Sequence, residues 1–116
     1  MRIDRIEIHH LELPYVHPFE TSFSRETKRE FIVVSVSADG VIGWGECVAG
    51  SGPWYSYETV GTAWEILEKH LIPLVLFENI DKAQDIVERF SRVRGHPMAR
   101  ACIENAIWDL LGRAKG

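Results

Sequence analysis

Several residue types that announce a function are scarce in this sequence. It has two cysteines, Cys47 and Cys102, far apart and without metal-ligand spacing. Neither a disulfide framework nor a zinc site can be built from them, and two buried, reduced thiols are expected. No apolar run approaches the ~18 residues that a membrane span requires; the longest, Leu71 to Phe77, is interrupted by Pro73. There is no basic excess, since 13 Lys and Arg face 17 Asp and Glu for a net charge of −4. That balance argues against nucleic acid, which calls for a basic face. The first residues alternate charged and apolar types, unlike a signal peptide, so a cytoplasmic location is expected. There is no internal repeat and no low-complexity segment.

What is present suffices for one domain, expected to span residues 1–116. The chain has 116 residues, 46% of them hydrophobic, enough for a core of its own but not for two domains. The first half reads as strands and the second as helices, an α+β order rather than βαβ alternation. A strand is predicted over Ile3–Leu13. Ile6 and Ile8 share one face by period two, while Leu11 and Leu13 fall on the other, so a bulge is expected near His9 or His10. Pro14 is expected to end the ladder, and residues 14–29 to form a long polar loop carrying Phe19 and Phe23. Asp39-Gly40 is the strongest hairpin signal. Counting back from it pairs Val36 with Gly43 and Val34 with Gly45, which leaves a shallow strip where a helix can approach. The opposite face carries Phe31, Val33, Ile42 and Trp44.

A second, glycine-rich loop runs from Val48 to Tyr55. Ser56 is predicted to cap the next helix, with Glu58 near its positive end and Val60, Ala63, Trp64, Leu67 and Leu71 on one face. Pro73 stops it. Asn79 or Asp81 is expected to cap a second helix with Ala83, Ile86, Val87 and Phe90 inward, stopped by Gly95. Pro97 suits the first turn of a third helix, whose wide apolar arc from Met98 to Ala114 predicts burial on two sides.

The search for reacting groups returns little. None of the histidines (His9, His10, His17, His70, His96) has the i, i+4 spacing of a helical zinc pair. His9 and His10 are adjacent on a strand and point to opposite faces; His9 reads as solvent-facing and His10 as an edge or core residue. Glu65 with Lys69, Asp85 with Arg89 and Glu88 with Arg92 read as helix surface pairs. Glu46 is the carboxylate nearest the glycine-rich loop, where a structural hydrogen bond is expected. Gly43-Trp44-Gly45 lies inside a hairpin strand rather than between a strand and a helix, and Gly50–Gly52 lacks the Lys-Ser/Thr of a P-loop. Phe19, Phe23, Trp54 and Tyr55 lie in loops, where exposed aromatics meet either a ligand, another surface, or each other.

The same loops carry a family likeness that covers the whole chain in order. Pro18-Phe19-Glu20-Thr21-Ser22-Phe23 resembles the first-loop motif PFxTSF of the o-succinylbenzoate synthase and N-acylamino acid racemase branch of the enolase superfamily, which is mandelate racemase/muconate lactonizing enzyme-like. Gly43-Trp44-Gly45-Glu46-Cys47-Val48, then Gly52-Pro53-Trp54-Tyr55-Ser56, is similar to its GWGECV and GPxYS stretch. Gly95-His96-Pro97-Met98-Ala99-Arg100, then Glu104 to Asp109, resembles its GHxMAK helix.

The resemblance implies an α+β capping domain, a three-stranded antiparallel meander followed by a three-helix bundle, that sits over the open end of a modified (β/α)-barrel. In such enzymes the barrel supplies two lysines as acid and base and three carboxylates that hold Mg²⁺, and the metal stabilises an enediolate formed α to a substrate carboxylate. The sequence ends at Gly116, where such a barrel is expected to begin. No residue of this chain is therefore expected to be catalytic or to hold metal, and Mg²⁺ is expected only in the parent enzyme. Carried over by position, Phe19, Phe23, Gly50, Ser51 and Tyr55 are the candidate substrate-binding residues, Phe19 and Tyr55 foremost as pocket walls. Racemising members can carry a bulkier apolar residue at the position of Gly50, so glycine weighs against acylamino acid activity. Ser24 replaces a frequent glycine, and Asp109 reads as structural. The implied function is dehydration of a cyclohexadiene carboxylate to o-succinylbenzoate in menaquinone synthesis, with N-acylamino acid racemisation as a further activity. The implied partners are a small carboxylate substrate, the chain's own barrel and further copies in a homo-oligomer. A stand-alone interaction module using Trp44, Trp54 and the helical arc, and the cap of another racemase or dehydratase of the superfamily, remain alternatives.

Overall fold

The computed structural model describes residues 1–20, 25–54 and 56–116, with the backbone alone described at 16–20 and 25–27. Strands β1 (Arg5–Glu20), β2 (Arg25–Ala38) and β3 (Val41–Cys47) form an antiparallel sheet in the order β1-β2-β3. Helices α1 (Val60–Ile66), α2 (Gln84–Arg89) and α3 (Pro97–Lys115) follow. This is the expected α+β meander followed by helices. Among the described residues no helix is long and apolar enough to cross a membrane.

The β2–β3 hairpin follows the predicted register, Val36 opposite Gly43 and Val34 opposite Gly45. Its turn has φ of 51° at Asp39 and 78° at Gly40, the paired positive values of a tight primed turn. The two glycines of β3 admit α3. A β-carbon at Gly43 would stand 2.2 Å from the Ala106 carbonyl oxygen, and one at Gly45 would stand 2.1 Å from that of Cys102. Helix α3 is therefore in backbone contact with the sheet, over Ile32, Val34, Val36 and Ala38, all fully buried. On its other side it meets α1 and the turn that follows, the burial on two sides that its broad apolar arc requires. Cys47 and Cys102 are both free and buried.

Three expectations about β1 are corrected. Its register with β2 is unbroken from Arg5 to Pro14, and the shift falls between Pro14 and Phe19, not at His9 or His10. Leu11 and Leu13 need no bulge because they point to the outer sheet face, where they are 42% and 56% exposed. Pro14 does not end the strand, and the described residues of the expected loop, 14–20 and 25–29, belong to β1 and β2. β1 has one neighbour, so an imide nitrogen without hydrogen is tolerated on its open edge.

The helices also depart in detail. Ser56 does not cap α1. Thr59 does, through a reciprocal pair in which its Oγ1 accepts from Thr62 N–H at 3.1 Å and Thr62 Oγ1 accepts from Thr59 N–H at 2.9 Å. Beyond α1 the chain widens into a π turn (Leu67–Leu71) and then tightens into a 3-10 turn (Ile72–Leu74). Pro73 cannot donate to Lys69 and its ring crowds that carbonyl, which the wider turn relieves. Neither Asn79 nor Asp81 caps α2; the Asp85 carboxylate accepts from the N–H groups of Asp81 and Lys82 instead. Helix α2 stops at Arg89, short of Gly95, and Val87 is exposed rather than inward. The N-terminal segment is latched beside this region, since Ile3 N–H donates to Glu78 O at 3.0 Å and Phe77 N–H to Ile3 O at 2.7 Å.

Candidate functional site

The glycine-rich connection between β3 and α1 is held at both ends. Ala49 is buried at its start. The Gly50 carbonyl accepts from Val60 N–H at 2.8 Å, and Gly50 bridges Thr59 in parallel fashion. Ser56 Oγ accepts from Glu58 N–H at 3.3 Å. Between these anchors Ser51 is exposed, and the Trp54 indole folds over Gly52, where a β-carbon would meet its Nε1 at 2.4 Å. Trp54 is nonetheless 62% exposed.

This connection borders a groove of about 380 Å³ lined by His10, Glu30, Ser51, Val60, Gly61 and Trp64. That volume lies at the small end of the ~300–1,000 Å³ range of small-molecule pockets. β1 and β2 supply His10 and Glu30, whose Nε2 and Oε1 lie 4.0 Å apart. Helix α1 supplies Trp64, whose Nε1 donates to Glu68 at 3.0 Å. His10 is half-exposed on edge strand β1, opposite Ile32 and beside Glu30, so of the two expected placements the edge one holds and the core one does not.

Of the candidate residues, Gly50 and Ser51 lie together on the connection, with Ser51 in the groove wall. Gly50 has no steric need to be glycine: a β-carbon there would meet only Gly52 O, at 3.8 Å, in ordinary contact. The missing side chain is thus not dictated by packing within this domain. Phe19 has its backbone on β1 opposite Glu26, with its side chain outside the description. Phe23 and Tyr55 lie outside the described residues.

The sequence places Glu58 at the start of its own helix, but its partner lies at the start of α3. Glu58 is 2% exposed, and its Oε1 and Oε2 accept from Met98 N–H at 3.1 and 2.9 Å. Beside it the Tyr57 hydroxyl accepts from His96 N–H at 3.0 Å. A signal existed: no Ser, Thr, Asp or Asn precedes Pro97, so the cap of α3 had to come from elsewhere in the chain.

The polar groups around the groove do not assemble a reacting set. Among the described residues no group of three or more His, Cys, Asp or Glu could hold a metal ion. Glu46 does not bond the described residues of the glycine-rich loop as expected; it pairs with Arg29, whose guanidinium lies 4.8 Å above the Phe31 ring. Burial pushes the Cys47 thiol up, and the Cys102 thiol further, with Cys47 and Glu46 nearby adding to it; neither is a poised nucleophile. Asp109 is structural: it accepts from Trp44 N–H on the open edge of β3 at 2.9 Å and from Arg113 Nε at 2.9 Å. The Trp44 amide, then Arg113, hold its carboxyl below the usual range. The arrangement can shape and border a ligand; among the described residues it offers no acid–base pair aligned for proton transfer.

Comparison with known proteins gives a consistent result. The mandelate racemase/muconate lactonizing enzyme N-terminal domain family matches residues 5–116. The chain is 44% identical over 117 aligned residues to an o-succinylbenzoate synthase of Geobacillus stearothermophilus, covering 100% of this chain and 31% of that protein. It is 39% identical to an N-succinylamino acid racemase of Thermus thermophilus, again covering 100% of this chain and 31% of the relative. The crystal structure of an enolase superfamily member from Listeria innocua superimposes with a TM-score of 0.94 at 33% identity, over 99% of this chain and 31% of that one. The chain thus spans about a third of the length of these relatives, always their N-terminal domain. It belongs to the mandelate racemase/muconate lactonizing enzyme family, as an N-terminal capping domain of the enolase superfamily.

Proposed function

We propose that this chain is the substrate-capping and specificity domain of a longer enzyme that forms o-succinylbenzoate by dehydration, with N-succinylamino acid racemisation as a second activity. The observation that carries this reading is the alignment of the whole of this chain with about a third of relatives of both names. In the proposed enzyme a C-terminal barrel removes the proton α to the substrate carboxylate, and Mg²⁺ belongs to that barrel. Among the described residues of this chain no cluster fits a metal. What this chain contributes is enclosure: the segments of sequence that include Phe19 and Phe23, and Gly50, Ser51 and Tyr55, wall the substrate and exclude water.

The exposed Trp108 (66%) and Trp54 are the contacts by which the cap meets its barrel in this reading; assembly of the enzyme into a homo-oligomer in the cytoplasm completes it. The test is kinetic, in the longer protein. Phe19→Ala and Tyr55→Ala each lower kcat/KM for the preferred substrate at least about tenfold, the scale of one lost aromatic contact, and alter the ratio between the two substrates. Unchanged kcat/KM for both substrates in both variants would refute the capping role of these residues.

A further inference from the structure

We infer that Glu58, assisted by Tyr57, is a positioning clasp: it fixes the glycine-rich connection in its ligand-facing conformation by lending helix α3 the N-terminal cap that α3 lacks. The inference deepens the proposed function and rests on it for the kinetic consequences alone. Helix α3 begins unusually. Its N-cap residue, His96, has φ 55° and ψ 47° and makes no side-chain cap. Pro97 has no N–H, so Met98 presents the first free amide of the helix. Both carboxylate oxygens of Glu58, from 40 residues upstream, converge on that amide. The Tyr57 hydroxyl takes the His96 amide, and its ring meets the His96 ring edge-on at 6.2 Å. The positive end of a long helix favours this carboxylate. With Glu58 almost wholly buried, its removal leaves the Met98 amide without a partner or leaves room for water.

The clasp acts where the connection returns to the body of the domain. Glu58 lies directly between Ser56, which receives its N–H, and Thr59, which caps α1 and bridges Gly50. Holding Glu58 therefore also holds the Gly50 carbonyl against Val60, and with it the placement of Ser51 in the groove. The cap of α3 and the posture of the connection are one interaction.

The first test uses this chain and needs no activity: amide hydrogen exchange read by NMR in Glu58→Ala, Glu58→Gln and Tyr57→Phe. In Glu58→Ala, exchange at Met98 and also at Val60 is expected to rise at least about tenfold, while the β2 core amides keep their protection. Glu58→Gln keeps one acceptor oxygen and should recover most of the protection at both amides. Faster exchange at Met98 with Val60 unchanged would overturn the clasp, leaving Glu58 a local cap. Should Glu58→Ala unfold outright, Tyr57→Phe decides, since exchange unchanged or faster only within 96–100 would overturn the inference and joint acceleration with Val60 would support it. The second test uses the longer enzyme: Glu58→Ala raises KM about tenfold with kcat little changed, and Glu58→Gln restores it. A fall in kcat at constant KM would overturn the positioning role. If the longer enzyme acts on neither substrate class, the functional reading fails while the exchange result stands.

Discussion

Replacing Gly45 with alanine probes the closest approach in the fold. The added β-carbon would stand 2.1 Å from Cys102 O, 3.0 Å from Ala106 N and 3.2 Å from Ala106 Cβ. The nearest neighbours are helix backbone, so no side-chain rotation relieves the clash. The middle of α3 must retreat by more than an ångström, which loosens its packing on Val34 and Val36 and stretches the bond from Trp44 N–H to Asp109. Overpacking of this kind costs about 1–3 kcal/mol and occasionally more; with helix backbone as the obstacle, about 3 kcal/mol is expected. That is a large share of the roughly 5–15 kcal/mol available to a typical domain. Urea unfolding followed by tryptophan fluorescence measures it, with a midpoint lower by about 1–2 M at unchanged slope. Gly50→Ala is the internal control. Its β-carbon has room and its φ is ordinary, so the variant should match the parent or gain up to about 1 kcal/mol through a less flexible unfolded chain. A Gly45→Ala protein within about 0.5 kcal/mol of the parent would refute the close-packed account of α3 and β3.

Other outcomes follow from the same structure. Because burial raises both thiols, Cys47 and Cys102 should react with a thiol reagent at pH 8 at least about a hundredfold more slowly in the native chain than in denaturant, since reaction must await opening; rapid native labelling would contradict their placement. Asp109 has a folded pKa below its unfolded value near 4. Its stabilising contribution is therefore present above that value and lost as pH falls through the lower folded one. Asp109→Asn should accordingly be less stable at neutral pH and lose less on acidification, as shown by thermal melts from pH 6 to pH 2. An identical pH profile in both proteins would contradict the role of Asp109 at the edge of β3.

The parts of the fold that were legible in the sequence are those fixed by local chemistry. Asp39-Gly40 set the turn, and counting from it set the register that aligns Gly43 and Gly45 under α3. Pro97 marked the start of α3, and helical spacing found Ala63, Leu67, Leu71, Ile86 and Phe90. What escaped was tertiary. Pro14 reads as a terminator because it removes a donor from the ladder, and only the sheet order shows that β1 is an edge that tolerates the loss. Leu11 and Leu13 suggested a bulge because apolar residues were assumed to point inward. Within the site, Gly50 and Ser51 were found through their motif, whereas His10, Glu30 and Trp64 join them only because the β1–β2 hairpin and α1 flank the same connection. Glu58 was assigned to the start of its own helix; its partner is the start of another, 40 residues on.

The central claim is that this domain shapes a substrate site whose chemistry resides in a following barrel. Turnover measured side by side, by this chain and by the longer protein, tests it most directly, with an o-succinylbenzoate-forming substrate and an N-succinylamino acid, each with and without Mg²⁺. The account predicts metal-dependent turnover by the longer protein and none by the 116-residue chain. Metal-dependent turnover by the chain alone would contradict it.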